Sequence, residues 1–271
     1  MKADLAQPLF EKVRASKAGR EINPAVVGAA VRWALARFHP KDAEKAAKTR
    51  LHQLYGSYVG EGWAKAAAKT LALLEAGELA PQDAALRLMA LHGSTAERLD
   101  HIGECYERIF AAAGTPASVL DIACGLNPLA FALPGMPQAA ITALDAGQDI
   151  AALLNRFFAA AALPRANAES GDAMAALPAG PYDLALLMKF LPLAERIETG
   201  GALRLLRAIP ARRIVVSFPT RSLSGRNVGM EKNYSEWFES LGFEGEMLER
   251  FICGGEVYYV VETILPSAEK P

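Results

Sequence analysis

The sequence predicts an α/β fold, a mostly parallel sheet of seven strands behind an N-terminal helical domain. Three observations predict it. The run Ser118-Val-Leu-Asp-Ile-Ala-Cys-Gly-Leu-Asn-Pro-Leu-Ala130 carries an aliphatic strand directly into Gly and Asn-Pro, the way a buried parallel strand turns into a helix. After Pro116, short aliphatic runs alternate with helical stretches. Before it, Ala, Leu, Lys and Glu dominate at helical spacing.

Taken in order, residues 25–91 read as several short helices. Val27, Val31, Ala34, Leu35 and Phe38 recur at helix spacing, and Pro40, Gly60-Glu-Gly62 and Ala80-Pro81 punctuate the pattern. A further helix is expected over 94–113, capped by Ser94 or Thr95 with Glu97 near its first turn, and stopped by Gly114-Thr-Pro116. Strands are expected at 118–123, 140–145, 166–170, 183–190 and 213–219, with helices at 128–133, 148–162 and 193–208. Gly125 supplies the turn after the first strand, Asn127 an N-cap and Pro128 a first helical residue. After a helix over 230–241, the runs 247–253 and 256–264 flank Gly254-Gly255 and read as a hairpin. Five parallel strands closed by an antiparallel pair is the layout of the class I methyltransferase sheet, a Rossmann-like arrangement. A dinucleotide-binding dehydrogenase would end on a parallel strand.

Composition narrows the class. With 271 residues and 52% of them hydrophobic, the chain can bury one large core or two modest ones. Segment 122–144 is uncharged and long enough to span a membrane, but Gly125, Pro128, Pro134, Gly135 and Pro137 would break the helix. Met1-Lys-Ala-Asp-Leu-Ala-Gln has no apolar signal core. Cys105, Cys124 and Cys253 are odd in number, scattered and without CxxC, which predicts a reducing cytoplasm and neither a disulfide framework nor a metal site. The net charge of −1 hides an asymmetry: residues 1–70 hold 13 Lys/Arg against 6 Asp/Glu, the remainder 16 against 24. A basic end suggests a polyanionic partner, although a solvated helix surface would carry the same charges.

Asp121-Ile-Ala-Cys-Gly125 lacks the G-x-G-x-x-G that cradles a pyrophosphate. S-adenosylmethionine has no phosphate and needs fewer glycines. Asp145, ending the second strand, can accept both hydroxyls of a ribose. Asp172, after the third, can accept from an adenine amino group. Either could equally be a turn or cap residue. Arg98, near the start of a helix, faces an unfavourable dipole unless an anion compensates it. The methionine carboxylate would do so, as would a neighbouring side chain. The stretch Ser217-Phe-Pro-Thr-Arg-Ser-Leu-Ser-Gly-Arg-Asn-Val-Gly-Met-Glu-Lys232 follows the fifth strand with Arg221, Arg226 and Lys232. These suit phosphate contacts, with Phe190 or Phe218 available to stack a base. A solvated basic loop is the alternative.

Together these stretches resemble the aminoglycoside-resistance 16S ribosomal RNA (guanine-N7) methyltransferases of the Arm/Rmt/Sgm type, which modify decoding-site guanine 1405. The matching residues are Lys48-Thr-Arg-Leu-His52 with Tyr55-Gly-Ser-Tyr58, His92-Gly-Ser-Thr-Ala-Glu-Arg-Leu99, Asp121-Ile-Ala-Cys-Gly-Leu-Asn-Pro-Leu-Ala130, Leu186-Leu-Met-Lys-Phe-Leu-Pro192, and Ser217-Phe-Pro-Thr-Arg-Ser-Leu223 through Gly229-Met230 to Tyr234. The resemblance implies a helical domain over 1–90 that docks on the 30S subunit and a methyltransferase domain over 91–271, in a cytoplasmic, monomeric protein. It implies S-adenosylmethionine contacts at Tyr58, His92, Ser94, Arg98, Ala123, Gly125, Asp145, Asp172, Ala173 and Met188. RNA contacts are expected at Lys45, Lys48, Arg50, Arg221, Arg226 and Lys232. Gly93 stands where the family has Ala or Ile, and Ala146-Gly147 where it often has Ile-Asp or Ile-His. Residues 266–271 extend beyond the match.

Guanine N7 carries an in-plane lone pair and no proton, so its methylation needs no general base, only in-line positioning. Lys189, Phe190, Phe218 and Arg221 are the positioning candidates. Lys189 can reach guanine O6, reach a phosphate or close the strand end. The target guanine is expected to flip out of folded RNA. Two rivals stand beside this reading: a small-molecule methyltransferase, which leaves the basic end unexplained, and a non-catalytic ribosome-binding protein.

Overall fold

The computed structural model describes residues 2–55, 58–60, 62–220 and 230–264. Among these, seven strands form one sheet: β1 (Ser118–Ile122), β2 (Ala140–Asp145), β3 (Ala166–Ser170), β4 (Tyr182–Met188), β5 (Ala211–Pro219), β6 (Gly245–Cys253) and β7 (Glu256–Thr263). Their order is β3-β2-β1-β4-β5-β7-β6. The first five are parallel. β7 runs antiparallel between β5 and β6. This is the class I methyltransferase sheet that the sequence predicts. The chain order reverses between β1 and β4, and the crevice at such a switch point is where open α/β sheets take their ligands.

Alternation along the strands feeds two cores. Val119, Ile141, Ala143, Leu184, Leu186 and Val215 face one side, where α4 (Trp63–Glu75), α5 (Pro81–Met89), α7 (Ile102–Ala113) and α8 (Gln148–Ala160) cover them. Leu120, Ile122, Ala185, Leu187, Ile214 and Val216 face the other, under α9 (Leu191–Ile197), α10 (Gly201–Ala208) and α11 (Met230–Ser240). A third, separate core joins α1 (Lys2–Arg14), α2 (Pro24–Arg37) and α3 (Pro40–Leu54) through small side chains such as Val27, Ala30, Val31, Ala34, Ala43 and Ala47.

This small bundle is fastened over the carboxyl ends of β2 and β3. Ile22 bridges to Gly147, and Asn23 N–H donates to Ala146 O at 2.8 Å. The Asn23 side chain accepts from Ala25 N–H to cap α2, and its Nδ2 donates to Ser170 O at 2.8 Å. Arg14 Nη2 donates to Gln148 Oε1 at 2.7 Å. Gly147 is close-set: a Cβ there would lie 3.0 Å from Asp149 Oδ1 and 3.2 Å from Asp145 Oδ1.

Several expectations need correcting. α1 precedes the helical pattern read from residue 25 onward. The helix expected over 94–113 is α6 (Gly93–Ala96), a 3-10 turn (Leu99–His101) and then α7. Thr95 does not cap it; its Oγ1 donates back to Met89 O at 2.6 Å. The helix expected over 193–208 breaks at Thr199-Gly200-Gly201, where Gly200 has φ +76°. Asn127 is no N-cap: it begins a 3-10 turn (Asn127–Ala132), and its Nδ2 donates to Asp121 Oδ2 (2.7 Å) and Tyr106 Oη (2.9 Å). Cys105 and Cys253 form a disulfide, joining α7 to the end of β6 across 148 residues of sequence. Scatter along the chain hid a pair that packing brings together. Among the described residues, no helix is long and apolar enough to cross a membrane.

Candidate functional site

Strand ends and bundle enclose one cleft of about 770 Å³. Its floor is the turn after β1. Ala123 and Gly125 both take left-handed backbone angles, φ +52° and +51°. Glycine adopts them freely, whereas Ala123 pays for its Cβ. Lys189, following β4 on the neighbouring strand, is a second such residue at φ +58°. Non-glycine residues held this way cluster at functional sites. Gly125 is required by space as well, since a Cβ there would meet His92 Cε1 at 2.7 Å. His92 in turn stacks on Tyr58, with ring centroids 5.7 Å apart and planes 14° apart. Burial, with Arg98 and Lys189 nearby, lowers the His92 imidazole to about 4, so it is neutral at pH 7. A Cβ on Gly93 would only touch Tyr58 O at 3.5 Å, so that departure from the family pattern is sterically neutral.

Asp145 is held by the turn it serves. Its Oδ2 accepts from Gly125 N–H (2.9 Å) and its Oδ1 from Gly147 N–H (2.8 Å). Burial raises its pKa and these amides oppose the rise. Each carboxylate oxygen has two lone-pair sites, so one on each oxygen is left to offer the cleft. Asp172 Oδ1 accepts from Met174 N–H at 3.0 Å. Ala123, Asp172, Ala173, Met188 and Phe190 line the same space, together with Tyr58, His92, Ser94 and Arg98.

Arg98 carries the clearest ligand signal. It is 2% exposed. Its Nε lies 3.3 Å from Glu256 Oε1, its Nε and Nη2 donate to Ser94 O, and Nη2 also reaches Ser94 Oγ. Both readings of this residue are therefore visible: it has a carboxylate neighbour, yet among the described residues its buried Nη1 makes no hydrogen bond of normal geometry, with the likewise unpaired Tyr258 hydroxyl close to the guanidinium. Burial works against the guanidinium charge, but Glu256 and the nearby Tyr258, Tyr106 and Asp121 outweigh it and raise the pKa. An unpaired N–H of a buried cation costs energy unless something accepts from it. A ligand carboxylate in the cleft fits that place.

Glu256, at the tip of the β6–β7 hairpin, escaped sequence reasoning. It is fully buried, meets Arg98 and Lys189 (3.1 Å), and accepts from Ser217 Oγ at 2.6 Å. Lys189 also pairs with Glu97, so its charge is met by two carboxylates. Nothing in the Gly-Gly-Glu string distinguishes such a residue from an ordinary turn. Tyr55, half-buried in the cleft wall, was named only as part of a motif.

Other expected residues lie elsewhere. Phe218 is fully buried in an aromatic cluster with Tyr234, Trp237, Phe238 and Tyr259. That packing removes it from the cleft and from base stacking. Lys45 is exposed, while Lys48 is paired with Glu44 at 2.6 Å. Arg50 donates to Ile197 O at 2.9 Å and lies over the Trp33 ring. Lys232 sits on α11, 3.6 Å from Glu236. Arg221, Arg226 and residues 266–271 fall outside the described residues.

The model of the ribosomal RNA methyltransferase family FmrO matches residues 15–250. The chain belongs to this family. It is 42% identical to a 16S rRNA (guanine(1405)-N(7))-methyltransferase of Serratia marcescens, over 82% of this chain and 84% of that one. A protein of the same name from Micromonospora rosea is 33% identical over 95% and 97%. Among solved structures, the 16S rRNA methyltransferase RmtF in complex with S-adenosyl-L-homocysteine is similar at TM-score 0.84 and 36% identity, covering 95% of this chain and 98% of that one. As a member of the FmrO family, the protein is an S-adenosylmethionine-dependent enzyme of ribosomal RNA.

Proposed function

We propose that the protein transfers the methyl group of S-adenosylmethionine to N7 of guanine 1405 in 16S ribosomal RNA, acting as a cytoplasmic monomer on the 30S subunit and thereby conferring aminoglycoside resistance. The observation that carries this is a cleft with an unpartnered buried Arg98 Nη1 and a pre-held Asp145, in a chain so similar to enzymes of that named activity. S-adenosylmethionine, when bound, supplies an electrophilic methyl on a sulfonium.

The chain's own residues bind and orient. Arg98 receives the amino-acid carboxylate, a charge-assisted contact. Asp145 offers its remaining lone pairs to the ribose hydroxyls, and Asp172 accepts from the adenine amino group. Tyr58, His92, Ser94, Ala123, Gly125, Ala173 and Met188 shape the walls. A guanine N7 needs no base to release it, so placement of its lone pair in line with the methyl is the whole task. Phe190, largely buried but lining the cleft, is the residue assigned to meet a flipped base, and the ion-paired Lys189 fixes the end of β4 beside it. Within residues 1–90, the α1–α3 bundle is the part that docks, with Lys45 and Lys48 among its phosphate contacts. Arg221, Arg226 and Lys232 add further RNA contacts.

Primer extension on 30S subunits incubated with labelled cofactor, after cleavage chemistry specific for N7-methylguanine, tests the reading. A stop at guanine 1405 is expected. Label entering only small metabolites would favour the small-molecule rival, and cofactor binding without any transfer the non-catalytic one.

A further inference from the structure

We propose that Arg37 and Arg50, which lie over Trp33, together with Arg196 on α9 beside the bundle, form a composite site for the phosphodiester backbone of RNA, outside the cofactor cleft. The proposal rests on the reading above that the substrate is RNA. Two of these arginines come from the helical bundle. The third, Arg196, belongs to the sheet domain, and no motif in the sequence points to it.

The Arg50 guanidinium lies 4.2 Å from the Trp33 ring centroid and that of Arg37 5.6 Å. Arg50 Nη2 also donates to Ile197 O at 2.9 Å, which draws it across to the end of α9, next to Arg196. Arg50 feels the other two charges: burial lowers its pKa, and the cations of Arg37 and Arg196 add to that, against an opposing effect of Tyr55. No ion pair among the described residues neutralises any of them. Of the carboxylates nearby in sequence, Asp42 lies in the first turn of α3 and pairs with none of the three arginines; the others are committed elsewhere. Glu195 accepts from Gly200 and Ala202 N–H, Glu198 pairs with Arg204 at 2.7 Å, and Glu44 pairs with Lys48.

Three like charges without a counter-ion repel, so the arrangement costs energy until an anion arrives. Guanidinium suits that anion: its planar fork matches phosphate oxygens, and stacking on Trp33 holds the fork ready. Arg37 and Arg196 are exposed, and the exposed Phe38, Lys41 and Lys45 continue the surface along α3. An open, extended, cationic and aromatic surface fits a polyanion better than a small enclosed phosphate. Backbone bound across this seam would bridge the bundle and the sheet domain's α9.

The test compares wild type, Arg37→Gln, Arg196→Gln and the double variant in binding to purified 30S subunits over a range of salt concentrations. Cofactor titration serves as the folding control. Each single change should weaken subunit binding roughly 3- to 10-fold and reduce the log–log salt slope by about 0.9, the double change by about twice that. Cofactor affinity should stay at wild type, and Arg196→Lys should restore the slope. Unchanged slopes in both single variants, or wild-type binding with no salt dependence, would overturn the site. Methylation of guanine 1405 by the wild type is scored separately. Its absence would defeat the assigned target while the slopes still judge the phosphate site.

Discussion

The helices before the sheet fall into two groups that the sequence does not separate. α1–α3 pack on one another through a core of mostly Val, Ala and Leu and meet the sheet domain mainly through polar contacts, Asn23 with Ser170, Arg14 with Gln148 and Arg50 with Ile197, with Leu54 and Ala146 the buried apolar residues that cross the seam. α4 and α5 instead place Leu71, Leu74, Leu88 and Met89 in the same core as the sheet. Both groups look alike as Ala-rich amphipathic helices. One is an attached body, free to carry a basic surface. The other is part of the catalytic scaffold. Attachment mainly by hydrogen bonds permits a docking function to be added over a cleft with little repacking of what lies beneath it.

The sharpest way to break this comparison is by deletion. Removing residues 1–90 strips four large side chains from the sheet core, each worth roughly 2–5 kcal/mol, and should abolish cooperative unfolding. Removing residues 1–54 should leave a cooperative transition while eliminating RNA methylation. Matching thermal melts for the two deletions would show the division to be wrong.

Arg98→Ala comes next. It lies on the scaffold side and removes a buried charge-assisted contact, so cofactor affinity should fall by about 1.5–3 kcal/mol, at least tenfold. Arg14→Ala, which loosens only the bundle, should bind cofactor far more nearly as wild type. Calorimetric titration of both decides, and equal losses would erase the distinction between the groups.

The scaffold should also respond to pH through His92. Its folded pKa, about 4, lies below the ordinary 6.5, so the unfolded chain takes up the proton first. The resulting stabilisation is complete above about pH 6.5 and is lost as pH falls toward 4, by up to about 3 kcal/mol. Urea unfolding of wild type and His92→Gln should show their stability gap shrinking across that window. A gap independent of pH would contradict the buried neutral imidazole.

Asn23→Ala is the mildest change. It deletes the α2 cap and the link to Ser170, and should cost about 0.5–2 kcal/mol, read as weaker 30S binding with little change in the sheet's own unfolding. Equal loss in both would mean that bundle and scaffold unfold as one.

How much of this was legible follows from where the signal is local. β2 and β3 read directly from their aliphatic and alternating runs, and the turn at Gly125 from its neighbours. Asp145 reads as the residue that closes a strand, and it does so; Arg98 reads as a residue near a helix start, whereas it follows the end of α6. The hidden features depend on distant packing. The helix expected over 94–113 breaks where Glu97 and Arg98 turn toward Lys189 and Glu256, residues 92 and 158 positions away. Phe218 resembles a stacking residue until Tyr234 and Tyr259 close over it. Cys105 and Cys253 meet only because α7 lies beside β6.

The central claim is that a bundle reading RNA shape delivers one guanine to a cofactor cleft built beneath it. Methyl transfer to guanine 1405 should therefore be measured on intact 30S subunits and on protein-free 16S RNA, at matched salt and RNA concentration. The account predicts efficient modification of the subunit and little of the naked RNA, since contacts spread over a folded surface need that surface assembled. Equal turnover on the two substrates would contradict it.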